Sequence, residues 1–317
     1  MSEWPRILVT GADGQVGRAI LAEFAGSAEV IPCNRNTLDL SNPDQIRATV
    51  REVAPDIIIN AGAYTAVDRA ESERDLAFAI NGNAPGVLAE EAQRASSLLI
   101  HYSTDYVFNG SKKGPWGEED ATDPLSVYGA SKLAGEEAIR KAGGRYLIFR
   151  TSWVYAPEGK NFVLTMLRLG RERDSLNVVD DQFGAPTTAA ELARATHAIA
   201  TGIVTEKFTI ANACAGTYHM TCAGSTSWCG FARAIFERAP QLLDGKMPAV
   251  NPIAASEYPT PAKRPQNSVL SNEKLQRTFG VHLAPWEAAL DEVLAAIASK
   301  RRDNEPSHTL QHRPVEN

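Results

Sequence analysis

Short apolar, β-branched runs alternate with stretches whose apolar residues recur at helical spacing along the first half of the chain. Residues 6–10, 29–33, 56–60, 97–102 and 145–150 read as buried strands. Residues 18–24, 45–53, 68–80 and 86–95 read as helices, as does the segment carrying Val127, Ala130, Ala134, Ala138 and Ile139. Asn81 to Pro85 reads as a break between two helices, and Gly143-Gly144 as a stop. Such alternation predicts an α/β fold with a doubly wound parallel sheet. Beyond residue 155 it loosens. Helices are expected at 161–172, 190–201, 228–237 and 283–299, and a strand at 207–211. A Pro-rich polar stretch spans 249–268, and 300–317 reads as a polar, disordered tail. The expected division is a dinucleotide-binding domain over 1–155, with a returning segment near 184–215. A smaller C-terminal α/β substrate domain would take 156–183 and 216–299.

Composition narrows the class. The chain has 317 residues, 44% of them hydrophobic, enough for one large or two modest cores. A net charge of -6 argues against nucleic acid as a partner. No apolar run has the length of a membrane span. Cys33, Cys214, Cys222 and Cys229 are too few for a disulfide scaffold and lack zinc spacing with His219, so they read as buried thiols. The N-terminal residues do not have the form of an export signal, and a cytoplasmic location is expected.

The first strand runs into Gly11-Ala12-Asp13-Gly14-Gln15-Val16-Gly17 and then a helix. In that context Gly11 permits a tight turn. Gly14 lets backbone N–H groups approach a pyrophosphate at the helix N-terminus, and Gly17 lets helix and strand pack closely. Past the second strand come Asn34, Arg35 and Asn36, with no acid to repel a ribose 2′-phosphate. Arg35 either binds that phosphate or is a solvated surface residue. After the third strand, Ala61-Gly62-Ala63-Tyr64-Thr65 offers small residues against which a flat ligand can lie, or is a plain junction. The polar loop from 110 to 124 either caps a site or is a solvated connection. Trp153, at the end of a strand, either stacks on a ligand or fills the core.

Tyr128 and Lys132 lie one helical turn apart, on one face. A phenol has a pKa of about 10. A neighbouring ammonium is expected to lower it, so that the Tyr exchanges a proton near neutral pH.

Three features coincide: the glycine turn, Ser103-Thr104 after a later strand, and Tyr128-x3-Lys132 on a helix. Together they resemble the short-chain dehydrogenase/reductase superfamily in its extended, Rossmann-type form. Further stretches resemble the dTDP-4-dehydrorhamnose reductase family from about residue 6 to 298. They are Ser103 to Phe108, Pro124 to Lys132, Phe149 to Tyr155, Asp181 to Thr187, and Arg264-Pro265. The resemblance implies hydride delivery from NADPH or NADH to C4 of a dTDP-4-dehydro sugar. It implies that Tyr128 protonates the developing alkoxide, and that Lys132 holds the nicotinamide ribose and keeps Tyr128 acidic. Thr104 would bond the phenol or sugar oxygen. Asp105, Trp153 and Arg264 would face the nucleotide-sugar. Gly14, Gln15, Val16, Asn34, Asp39, Leu40, Ala63, Tyr64 and Thr65 would line the cofactor, beside Gly11, Gly17, Arg35 and Ala61.

Some members of the family hold magnesium through glutamates at a homodimer interface. Ala19 stands at one of those positions and Glu191 and Glu292 at the others, which leaves both magnesium and the dimer open. A nucleotide-sugar dehydratase is disfavoured, because Asp105 is followed by Tyr106 and not by a second carboxylate. An epimerase of the same superfamily and a non-catalytic regulatory subunit of methionine adenosyltransferase remain as alternatives.

Overall fold

The computed structural model describes residues 5–205, 207–208 and 215–304. In the first half, β1 (Arg6–Thr10), α1 (Gln15–Glu23), β2 (Glu29–Cys33), α2 (Pro43–Val53) and β3 (Ile57–Asn60) come in order. They are followed by α3 (Val67–Ala70), α4 (Arg74–Phe78), α5 (Ala84–Ala95), β4 (Leu98–Thr104), α6 (Val127–Ala142) and β5 (Arg145–Thr151). The second half holds β6 (Val154–Tyr155), α7 (Phe162–Glu172), β7 (Ser175–Val179), β8 (Phe183–Gly184), β9 (Thr187–Thr188) and α8 (Ala189–Val204). It continues with β10 (Gly216–His219), β11 (Thr226–Ser227), α9 (Trp228–Arg238), β12 (Ala249–Ile253), α10 (Glu273–Phe279) and α11 (Trp286–Asn304).

One parallel sheet of six strands, ordered β10-β5-β4-β3-β1-β2, carries the first half. Residues alternate between its faces, as strand geometry requires. Ile7, Val9, Ile57, Ile59 and Ile100 pack with Ile20 and Phe24 of α1, with Leu192 and Ile199 of α8, and with Leu275 and Phe279 of α10. Leu8, Ile58, Leu99 and Ile148 pack on the other face with Ile46 and Val50 of α2, Leu88 of α5 and Ile139 of α6. Covering both faces is what makes these strands continuously apolar. A second core gathers α7, α9, α11 and β7 around Val163, Phe231, Ile235, Leu290 and Leu294. The strand order reverses between β1 and β3, and open α/β sheets bind ligands in the crevice at such a point.

Several expectations are corrected. Residues 68–80 do not form one helix: α3 and α4 are separate. Asn81 to Asn83 do not break the chain either, because a π-helical turn over Ala79–Asn83 leads straight into α5. Pro85 sits in the first turn of α5, where no amide is needed. The 249–268 stretch contains β12, paired in parallel with β7. Helix α10 carries too short a periodic pattern to be read beforehand. β10 lies in the six-stranded sheet beside β5, although 216–299 was expected to belong wholly to the second domain. The strand expected at 207–211 falls largely outside the described residues. The last helix continues to Asn304, five residues into the expected tail, and 305–317 lie outside the described residues. The 110–124 loop is not simply solvated. Trp116 is buried and its backbone pairs with Val269 and Ser271.

Candidate active site

At the end of β1 the chain turns through Gly11 with φ +66°. A Cβ there would lie 2.6 Å from the Gly62 backbone, and one on Gly17 would lie 2.2 Å from the Gly11 carbonyl oxygen. Helix α1 therefore starts against the end of its own strand. Its N-cap is Gly14, and no side chain caps the first turn. The uncapped amides and the helix dipole suit a pyrophosphate. Leu40 lies against Gly62, which brings the 39–40 segment to the turn after β3. Gly11, Gly14, Gln15, Val16, Gly17, Leu40, Ala61, Ala63, Tyr64 and Thr65 thus flank the β1/β3 crevice. Tyr64 turns inward: its backbone pairs with the Asn81 amide, and its hydroxyl donates to Glu73. Asn34 and Arg35 follow in the turn after edge strand β2, whose Cys33 carbonyl accepts from the Ala12 amide of the glycine turn, and Arg35 is exposed. The Asp39 carboxylate accepts from the amide and hydroxyl of Ser41, which hold its pKa down.

The other wall of the crevice is helix α6, capped by Ser126. Its stripe Tyr128, Lys132, Glu136 faces inward, and Lys132 and Glu136 are fully buried. Glu136 takes a bidentate pair from Arg150 at 2.8 and 2.7 Å and a hydroxyl bond from Ser103 at 2.6 Å. Those bonds keep its carboxyl below the ordinary range although burial pushes it up. Lys132 Nζ donates to the Tyr102 carbonyl at 2.6 Å and lies 3.3 Å from His101 Nε2. Burial lowers its pKa to about 8.

The Thr104 hydroxyl donates to Asp105 Oδ1 at 2.9 Å and lies close enough to Tyr128 to draw the phenol's pKa down. Burial and the Asp105 charge push the phenol up to about 12. This corrects the expectation that Lys132 keeps Tyr128 acidic. Desolvation dominates at the phenol, and the Lys132 amine is directed instead at Tyr102 and His101. Tyr128 is therefore a protonated phenol at neutral pH, the form a proton donor needs. Asp105 is buried, its carboxyl is raised to about 6 by desolvation, and its Oδ2 has no hydrogen-bond partner among the described residues.

Tyr106 packs edge-on against Tyr128, with ring centroids 5.5 Å apart, and the Arg264 guanidinium lies near enough to act on its phenol through charge. Arg264 also pairs with Asp68 of α3 at 2.8 Å. Asp105, Tyr128 and Arg264 are thereby linked. Trp153 stands on the side of the second core, in a left-handed backbone conformation with φ +48°. One face of its indole is stacked on Trp228 with ring centroids 3.5 Å apart, and Gly184 lies against the ring at Cε2, Nε1 and Cζ2, so only part of the indole is open to a ligand.

Sequence reasoning missed Glu136, His101, Asp68 and Trp228. The Tyr128, Lys132, Glu136 spacing of four was visible and could have found the first. No local signal marks the other three.

At the positions where some family members hold magnesium, the residues of this chain do not fit the ion. Arg194 already pairs with both Glu191 and Glu292, the Ala284 amide takes the remaining Glu191 oxygen, and Ala19 has no donor atom. No cluster of three or more metal-ligating side chains occurs among the described residues. Cys33, Cys222 and Cys229 are buried free thiols, and Cys214 lies outside the described residues.

A glycine turn opening a dinucleotide crevice, faced by Thr104, Tyr128 and Lys132 at the ends of β4 and α6, defines an extended short-chain dehydrogenase/reductase. The RmlD substrate binding domain family matches residues 5–299. A dTDP-4-dehydrorhamnose reductase of Burkholderia thailandensis is 48% identical over 90% of this chain and 96% of its own. A solved dTDP-4-dehydrorhamnose reductase of Clostridium acetobutylicum superposes with a TM-score of 0.84 at 39% identity, covering 92% of this chain and 99% of its own. One from Bacillus anthracis in complex with NADP gives 0.82 at 36% identity, with the same coverage. The chain belongs to the dTDP-4-dehydrorhamnose reductase family.

Proposed function

We propose that this protein uses NADPH or NADH to reduce the C4 keto group of dTDP-4-dehydro-β-L-rhamnose, giving dTDP-L-rhamnose. The observation that carries this reading is the buried Thr104 hydroxyl next to Tyr128, which shares a helix face with the buried Lys132 beside the β1/β3 crevice. The similarity to named reductases over nine-tenths of the chain favours reduction over epimerisation or a purely regulatory role.

When bound, the nicotinamide supplies the hydride. Tyr128 gives its proton to the C4 oxygen as negative charge develops there, and the Thr104 hydroxyl bonds that oxygen or the phenol. A donor already in place acts without reorganisation, which is the advantage of holding the phenol protonated beforehand. Lys132 holds the nicotinamide ribose. Asp105, whose Oδ2 lacks a partner, accepts from a sugar hydroxyl. Arg264 offers positive charge to the nucleotide-sugar, and Trp153 presents the open part of its indole to it. The sheet half carries the dinucleotide and the second core the sugar nucleotide. Arg35 favours NADPH modestly by approaching the 2′-phosphate. No step runs through a metal. No described helix is long and apolar enough to cross a membrane, and we place the enzyme in the cytoplasm.

The test is incubation of the purified protein with dTDP-4-dehydrorhamnose and reduced cofactor, with the product identified by NMR. Stoichiometric cofactor oxidation with the rhamno product supports the reading. Epimerised product with no net cofactor consumption, or no turnover at all, overturns it.

A further inference from the structure

Three buried polar side chains form a row across the centre of the sheet. Thr10, Asn60 and His101 stand in register on adjacent strands β1, β3 and β4. Each is at most 1% exposed. By the two-residue strand period they continue the rows of Leu8, Ile58 and Leu99, so they point to the face covered by α2, α5 and α6. Polar groups in so apolar a layer are costly unless bonded.

They are bonded in one direction. The Gly62 amide donates to Thr10 Oγ1 at 3.2 Å, and Thr10 donates to Asn60 Oδ1 at 2.6 Å. Asn60 Nδ2 lies 2.9 Å from His101 Nδ1. An amide nitrogen only donates, so Nδ1 accepts. Burial and Lys132 hold His101 neutral, so its one proton sits on Nε2, facing Lys132 Nζ. That N–H opposes the ammonium that Lys132 carries below about pH 8 and meets the lone pair of the uncharged amine above it. The row begins where cofactor is expected to dock: Thr10 precedes Gly11, and Gly62 lies between Ala61 and Ala63.

We propose that His101 is a positioning residue for Lys132, oriented by Asn60 and Thr10, so that the two turns at the cofactor crevice fix the place and charge state of the catalytic amine. This rests on the reading of Lys132 as a catalytic residue. The titratable and charged groups packed around the amine are Tyr128 and Glu136 on its own helix, His101 on β4 and, through Glu136, Arg150 on β5. Glu136, held by Arg150, Ser103 and Arg140, acts on the amine through its charge, whereas His101 is the side chain within hydrogen-bond reach of it, beside the Tyr102 carbonyl.

Two variants of the full-length protein separate this role from simple packing. His101→Asn keeps an amide in reach of Asn60 but loses the donor at Nε2, whereas His101→Gln keeps a donor toward Lys132. His101→Asn is expected to lower kcat about tenfold, through a misplaced amine. It should leave KM for the sugar nucleotide unchanged and move the basic limb of the kcat–pH profile to higher pH. His101→Gln should stay within about twofold of wild type, with its limb in place. In the wild type without cofactor, 15N NMR should show the neutral Nε2–H tautomer, a readout that does not depend on either variant folding. A charged ring, an Nδ1–H tautomer, or a His101→Asn enzyme with the wild-type limb would overturn the proposal. Lys132→Met that keeps wild-type turnover would instead overturn the reading of the site itself.

Discussion

The proposed catalytic centre and the proposed adenosine end of the crevice are built on opposite principles. Tyr128, Lys132 and Glu136 come from one helix packed against the middle of the sheet, and Thr104, Asp105 and Arg150 from strand ends there. All but Tyr128, which is half-buried, are nearly or wholly inaccessible. Asn34 and Arg35 sit in the turn after an edge strand, and Arg35 is exposed. Buried groups act through a low dielectric and are ordered before any ligand arrives. Exposed ones are screened and must be ordered on binding. Substitutions at the first place should therefore have large effects on rate, stability and pH response, and those at the second small, salt-sensitive ones.

The largest effect is expected at Tyr128. Tyr128→Phe removes the proton donor and should lower kcat by about 10²–10⁴-fold, while cofactor affinity by fluorescence titration stays near wild type. Wild-type turnover would remove the phenol from the mechanism. Next comes the Glu136–Arg150 pair. Glu136→Gln leaves a buried guanidinium uncompensated and should cost about 3–5 kcal/mol in denaturant unfolding. Adding Arg150→Met should recover part of that loss. A cost below about 1 kcal/mol, as at a surface pair, would erase the contrast between the two regions.

Asp105 gives a pH-dependent test. Its folded pKa is raised from 3.8 to about 6. A carboxyl raised in the folded state contributes stability below its unfolded value, and that contribution is lost as pH rises from about 4 through about 6. Asp105→Asn does not titrate. Relative to wild type it should gain up to about 3 kcal/mol between pH 4 and pH 8, while its KM for the sugar nucleotide rises. A stability difference flat across that window would show that the carboxyl is not raised. The smallest effect is at Arg35. Arg35→Ala should raise KM for NADPH about tenfold at low salt, less at high salt, and leave NADH unchanged. Equal losses with both cofactors would mean that Arg35 does not read the 2′-phosphate.

Much of this was legible beforehand because it is local. Strand, glycine turn and helix follow from a few adjacent residues, and the Tyr128–Lys132 spacing follows from one helical turn. What escaped was non-local or weakly periodic. The π-helical turn at Ala79–Asn83 was misread because Asn, Gly and Pro usually punctuate, whereas here the Asn81 side chain bonds the Tyr64 backbone and Ser131. β12 was hidden in a Pro-rich stretch because its pairing with β7 bridges more than seventy residues. The expected acidity of Tyr128 failed because spacing shows which charge is near but not how much solvent is lost.

By itself the sequence determined the parallel α/β order, the uncapped start of α1 and the shared helical face of Tyr128 and Lys132. Short-range sterics, the 3.6-residue period and backbone conformation suffice for each. Only the tertiary structure decided the strand order that sets Thr10, Asn60 and His101 in one row, the meeting of Arg264 with Asp68, and the stacking of Trp228 on Trp153. Those contacts join residues 41 to 196 apart in the chain or depend on the second core. No local period encodes them, because they arise only when burial of both sheet faces fixes which strands become neighbours.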